Sequence, residues 1–198
     1  FMPPHVLERI MSHGNARLQQ CARATLRADA QFRLRNATVI QARPGDSPEP
    51  GKVARYIYSA NNQQMLPGSL VREEGDSDTG DVAVDEAYRW LGATHAFYWQ
   101  GFERASIDGE GMALLGTVHY GEDYDNAFWN GAQMVFGDGD GELFNRFTAA
   151  LDVVAHGQAA SFRTERRGGR LADRRRSAHR PGQWPCPALD GQARQRLR

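Results

Sequence analysis

The stretch "ALLGTVHYGEDYDNAFWNGAQMVFGDGD", residues 113–140, decides how this chain folds. Runs of β-forming residues alternate in it with turn residues, so it reads as strand, loop, strand and a Gly/Asp-rich loop. Upstream, "GDVAVDEAYRWLGATHAFYWQGFERAS", residues 80–106, is the best helix in the sequence. Gly80 or Asp81 can begin it, and Val84, Ala87, Tyr88, Leu91, Thr94, His95, Tyr98 and Phe102 fall on one broad face. "IDGEGM" joins helix to strand as a turn, "VARYIYSA" alternates as a strand, and "PGSLVRE" is a short strand. "GELFNRFTAALDVVAH", residues 141–156, begins another helix, with Leu143, Phe144, Phe147, Leu151 and Val154 at helical spacing. Strands and helices in this order predict an α+β domain.

The flanks differ. In residues 1–42, Val6, Leu7, Ile10 and Met11 recur at helical spacing, Gly14-Asn15 breaks the run, and Leu18, Cys21, Ala22, Thr25 and Leu26 resume it. Two short amphipathic helices follow, as a helical N-terminal domain or as a removable pro-segment. "ARPGDSPEPGK", residues 42–52, is a Pro/Gly-rich linker of the kind proteases nick. Residues 157–198 lack a sustained apolar period, so disorder is expected there. The formal net charge of zero hides a split. Residues 1–156 carry 13 basic and 21 acidic side chains, a net of −8, whereas 157–198 carry 11 Arg, no Lys and 3 acids, a net of +8. Two cysteines, Cys21 and Cys186, make no disulfide framework. No apolar run is long enough to span a membrane, and "FMPPHVLERIM" does not read as a secretory signal.

Four stretches together resemble the thermolysin-like zinc metallopeptidases: "LPGSLVREEGD", "VDEAYRWLGATHAFYWQGFERASIDGEGM", "TVHYGEDYDNAFWNGAQMVFGDGDG" and "FNRFTAALDVVAH". They follow the family's order and spacing over about one hundred residues. "PPHVLERI" and "CARATL" resemble the short pro-segments of the protealysin-like branch. The resemblance implies a helical pro-segment, the β-rich N-terminal half of a catalytic domain with one long helix, and the start of the central zinc helix. It divides the chain into 1–48, 49–156 and an aberrant basic tail, 157–198.

Catalytic zinc needs about three protein ligands and an open position for water. An HExxH helix supplies two histidines on one face and a Glu as general base. By resemblance His156 is the first histidine, but Gly157 stands where the base belongs and Ala160 where the second histidine belongs. Glu165 and His179 are the nearby donors, neither at the right spacing. One histidine does not hold catalytic zinc, and no base remains to take the proton from water. Asp152 matches a calcium ligand of the family whose partner acids are missing downstream, so zinc and calcium belong to the family while stable binding by this chain is not expected. "GDGDG", residues 137–141, reads either as a calcium loop or as a turn leading into the next helix.

"NAFWNG", residues 126–131, resembles the family's cleft strand, which binds peptide by extending a sheet edge. By resemblance Asn126 and Ala127 hold substrate backbone. Phe128 and Trp129 either support the cleft or are ordinary core aromatics. His5, His13, His95 and His119 need no special role.

The reading is therefore the N-terminal part of a secreted-type zinc metalloendopeptidase, inactive in this chain, with peptide or protein as partner and no membrane. Its relatives are commonly extracellular, although with no signal visible a cytoplasmic location stays open. Rival readings are a peptide-binding or protease-inhibiting module, and a nucleic-acid binder acting through the basic tail "ERRGGRLADRRR", which lacks interleaved aromatics. Loss of the family's helical half should uncover Leu151, Val153 and Val154 and lower solubility. An Arg-rich, Lys-free tail that begins inside a helix motif points to out-of-frame reading of GC-rich DNA. Translating the other frames after codon 156 is expected to yield a Glu directly after His156 and a second His four residues after it. If no frame does, the frameshift idea is wrong.

Overall fold

The computed structural model describes residues 2–35 and 51–155 of the chain. His156, the basic tail and most of the linker lie outside them. Pro4 occupies the first turn of α1 (Pro4–His13), where its missing N–H costs nothing. Gly14 closes α1 through its N–H to Ile10 O at 2.7 Å. Asn15 then caps α2 (Ala16–Arg35), its Oδ1 accepting from Leu18 N–H at 2.9 Å. The break at Gly14-Asn15 stands where the sequence puts it, but the second helix is 20 residues long and not short.

Next come β1 (Arg55–Ser59), β2 (Ser69–Glu73), α3 (Val82–Phe102), β3 (Leu114–Val118), β4 (Ala127–Trp129) and β5 (Met134–Phe136). The strands form one sheet in the order β2-β1-β3-β5-β4. The inner pairs β1/β3 and β3/β5 are parallel, and the outer pairs β1/β2 and β4/β5 are antiparallel. The mixed helices and sheet bear out the α+β expectation, with three strands after α3 where the sequence suggests two. All five residues of β3 are buried, as befits a central strand covered on both faces. β4 lies at the sheet edge.

Helix α3 begins at Asp81, whose Oδ1 accepts from the Ala83 and Val84 N–H groups at 2.9 and 3.3 Å. Its buried face runs from Ala83 and Val84 through Leu91 to Thr94 and His95. Phe102, read as part of that face, is 62% exposed, so the face fades over the last turns. Leu91, 1% exposed, seats over Gly116. A Cβ added to Gly116 would lie 3.2 Å from Leu91 Cδ1 and 3.3 Å from Ile57 Cδ1, so only a residue without one lets helix and sheet approach this closely. Around this contact Ile57, Leu114, Val118, Met134, Phe136 and Val154 complete the main core.

The outer strand β2 is tied to α3 by charge. The guanidinium groups of Arg55 and Arg72 lie 3.7 and 3.8 Å from the centroid of the Tyr88 ring. Arg55 bonds both oxygens of Glu74 at 2.6 and 2.5 Å, and the buried Arg72 bonds Asp85 at 2.6 Å. Tyr88 OH donates to Glu74 at 3.2 Å and accepts from Gly75 N–H at 3.1 Å.

The helix expected from residue 141 is not continuous. Asp140 Oδ1 accepts from the N–H groups of Glu142, Leu143 and Phe144 at 2.9–3.0 Å, folding the segment into a tight turn. A 3-10 turn follows at Phe147–Ala149, Ala150 is extended, and regular helix starts only at residue 151. Leu143 and Leu151 are 52% and 43% exposed, so the apparent periodicity joined two elements that do not share a face. Val154, expected to lose cover, is buried in the main core, and Val153 packs against the same core.

Because Leu91 centres this packing and Gly116 leaves no slack beside it, Leu91→Ala is expected to cost about 2–5 kcal/mol. Urea unfolding followed by far-UV circular dichroism checks it, and a loss below about 1 kcal/mol would contradict the central role of the contact.

Candidate functional site

The predicted peptide-binding residues lie at the sheet edge. Ala127 and Asn126 are 0% and 4% exposed, and Phe128 and Trp129 are half-buried. The two rings part company. Trp129 packs against the main core, whereas Phe128 joins Tyr120 and Tyr124 with ring centroids 5.5 and 6.2 Å away.

The N-terminal helices seat on this edge. Met2 N–H donates to Asn126 Oδ1 at 2.7 Å, and that oxygen also accepts from Ala127 N–H at 2.9 Å. Asn126 Nδ2 donates to Asp29 Oδ2 at 3.0 Å, and Tyr124 OH donates to Asp29 Oδ1. Thr25 Oγ1 accepts from Asp125 N–H at 3.0 Å. Arg17 donates to Asp140 O at 2.9 Å, and Asn15 Nδ2 to Glu142 at 2.9 Å. Phe32 lies with its ring centroid 4.3 Å from that of Phe128.

The sequence reading missed Arg17 and Asp29, and placed Thr25 on the helical face without its partner. They share one side of α2 with the buried Cys21 at spacings of about four residues, a row that a search for apolar periodicity overlooks because it is mostly polar.

His119, read as needing no role, also proves organised. It follows β3 with φ 54°, and each ring nitrogen meets a carboxylate: Nδ1 to Asp138 at 2.7 Å and Nε2 to Asp81 at 2.9 Å. Asp81 is the residue that caps α3, so one imidazolium clasps the helix start, the strand end and the 137–141 loop. The bond to Asp138, with burial opposing and Asp81 adding, raises the His119 pKa to about 9. His95 behaves oppositely. Burial, then the charge of Arg55, lowers its pKa, and its Nε2 has no partner among the described residues. The "GDGDG" loop is thus a turn built on Asp140 and a clasp built on Asp138.

Asp152 is exposed in the helical turn 151–155, and His156 lies outside the described residues. Among the described residues no three His, Cys, Asp or Glu side chains converge on a point that could hold a metal ion. The donors among the described residues therefore make no set that fits either family metal.

The catalytic-domain family of thermolysin metallopeptidases matches residues 14–159. This chain belongs to that family. It is 52% identical over 155 residues to an extracellular metalloprotease of Pectobacterium carotovorum subsp. carotovorum, covering 78% of this chain and 44% of that protein. Protease PrtS of a Photorhabdus species (strain Az29) is 43% identical over 160 residues, covering 79% of this chain and 43% of its own length. The solved precursor of protealysin, a metalloproteinase from Serratia proteamaculans, superposes with a TM-score of 0.70 at 49% identity, covering 81% of this chain and 45% of that one. The thermolysin-like chain thus spans less than half the length of these relatives. No helix among the described residues is long and apolar enough to cross a membrane.

The His119 clasp gives a pH signature. Its pKa is raised on folding from 6.5, so its stabilisation is full below about pH 6.5 and is lost as pH rises through about 9. The aspartates are partly exposed, so about 1 kcal/mol is expected after screening. The Tm should fall by a few degrees between pH 7 and 9.5. His119→Gln should lower the Tm at pH 7 and flatten that fall. An equal fall in both proteins would refute the clasp.

Proposed function

We propose that this chain is the pro-segment and N-terminal catalytic half of a thermolysin-like metalloendopeptidase, and that the pro-segment holds the peptide-binding strand closed. The division runs 1–48 as pro-segment and linker, 49–156 as the catalytic half and 157–198 as an aberrant tail. The observation that carries this reading is the bond from Met2 N–H to Asn126 Oδ1, which puts the first residues of the chain on the strand assigned to substrate. Asn126 and Ala127 would hold the backbone of a peptide or protein substrate, with Phe128 and Trp129 supporting them from two different clusters. The Pectobacterium relative is an extracellular metalloprotease, which favours an extracellular role.

In intact members of such a family the metal supplies a polarised carbonyl and activated water. This chain's own residues bind and orient. The edge strand offers backbone pairing, and the bonds of Asn126 to Asp29 and Met2 keep that strand occupied. With Gly157 and Ala160 in place of base and second ligand, no proton acceptor or closed donor set is left, so the chain as it stands does not hydrolyse peptide bonds.

A second reading follows from the same seat. Helices that cover a cleft strand in one chain can cover it in another, making residues 1–35 an inhibitor of an intact relative.

Elemental analysis of the purified chain should find zinc well below one per molecule, and casein cleavage should show no chelator-sensitive component. Stoichiometric zinc with chelator-sensitive cleavage overturns the inactivity. For the seat, Asp29→Ala removes the acceptor shared by Tyr124 and Asn126. Amides of residues 4–35 should then exchange at least tenfold faster with deuterium, while β3 and β5 stay protected. Unchanged exchange in α2 would sink the pro-segment reading.

A further inference from the structure

Helix α2 sets Arg17, Cys21 and Thr25 at four-residue spacing against three carboxylates, Asp123, Asp125 and Asp140. Cys21 Sγ lies 3.8 Å from Asp123 Oδ2, and Arg17 lies 4.0 Å from Asp123 Oδ1. Thr25 takes the N–H of Asp125. Asp125 is 1% exposed, and its Oδ1 is buried with no hydrogen-bond partner among the described residues. Asp140, 3% exposed, stays ionised. Burial opposes its charge, but the N–H groups of Phe144, Glu142 and Leu143 outweigh burial and hold its pKa below the ordinary value. A second anion at Asp125 would face the buried Asp140 away from water and the half-exposed Asp123 beside it, with Arg17 the facing cation and its side chain 61% exposed.

We propose that Asp125 is a proton-controlled latch for α2: the helix seats while the Asp125 carboxyl is protonated, and loss of that proton as pH rises loosens it from the cleft strand. The latch rests on the reading of residues 1–35 as a pro-segment lying on that strand. Asp125 directly precedes Asn126, so loosening at one residue frees the substrate-binding position beside it.

Burial first, then the charges of Asp140 and Asp123, push the Asp125 carboxyl up to about 7 against the Asp140 N–H, which favours the anion. When α2 leaves, the burial it supplies goes with it, so the unseated carboxyl moves down towards the ordinary value of 3.8. Seating therefore takes up a proton. It is strongest below the unseated value, weakens through the interval between the two, and is flat above about 7.

The thiol of Cys21 reports the seat, because it lies on the buried side of α2 against Asp123. In the full chain carrying Cys186→Ser, the rate of Cys21 modification by a chromogenic disulfide reagent is measured from pH 5 to 8. Each rate is divided by that of the same chain carrying Asp125→Asn; the thiol reacts once unseated, away from Asp125, so the division cancels the ionisation of the freed thiol. The ratio should rise by up to about tenfold per pH unit and level off above about pH 7. Cys21 protected in both chains with a constant ratio overturns the latch and leaves the seat standing. Cys21 reacting in both at the rate of the urea-unfolded chain overturns the seat, and the latch with it. Should Asp125→Asn not fold, hydrogen exchange of the unsubstituted chain decides. The protection factors of α2 amides should fall between pH 5 and 7, and constant protection factors overturn the latch.

Discussion

The contact of Leu91 with Ile57 across Gly116 is what the rest of the structure depends on. It fixes how close α3 comes to the parallel strands, and so where both ends of that helix lie. The start of the helix then falls beside the end of β3, where Asp81 meets His119. Its middle presents Tyr88 to Arg55 and Arg72, binding the outer strand β2 through side chains as well as through its ladder. A methyl group at residue 116 would press on the Leu91 and Ile57 side chains at the centre of this packing.

The two parts of the described chain are held differently. The sheet and α3 enclose an apolar core of the ordinary dense kind. The seat of α2 is mostly polar: carboxylates, a threonine, an arginine and one aromatic pair, Phe32 with Phe128. Burial of apolar area is non-directional and changes little with conditions near neutral pH. A seat made of hydrogen bonds and ionisable groups responds to its surroundings, as an apolar core does not.

Much of the fold was legible. The cap Asp81, the break at Gly14-Asn15, the strand in "VARYIYSA" and the buried face of α3 as far as His95 follow from local chemistry that tertiary contacts reinforce. The false helix from residue 141 shows where periodicity fails. Leu143 and Leu151 carry a helical spacing, but Asp140 offers three backbone donors a better acceptor than a helix would. Of the site, Asn126 to Trp129 were legible through resemblance alone, because a three-residue strand carries too little pattern. Asp29 and Asp125 were not legible, since a carboxylate that matters only across about a hundred residues leaves no local mark.

β4 lies at the edge of its sheet, and a strand there is prone to pair with other chains. The helices seated beside it are encoded more than ninety residues ahead of it. A chain emerging from the ribosome thus carries these helices before the strand, and they are at hand to lie beside the edge as soon as it forms.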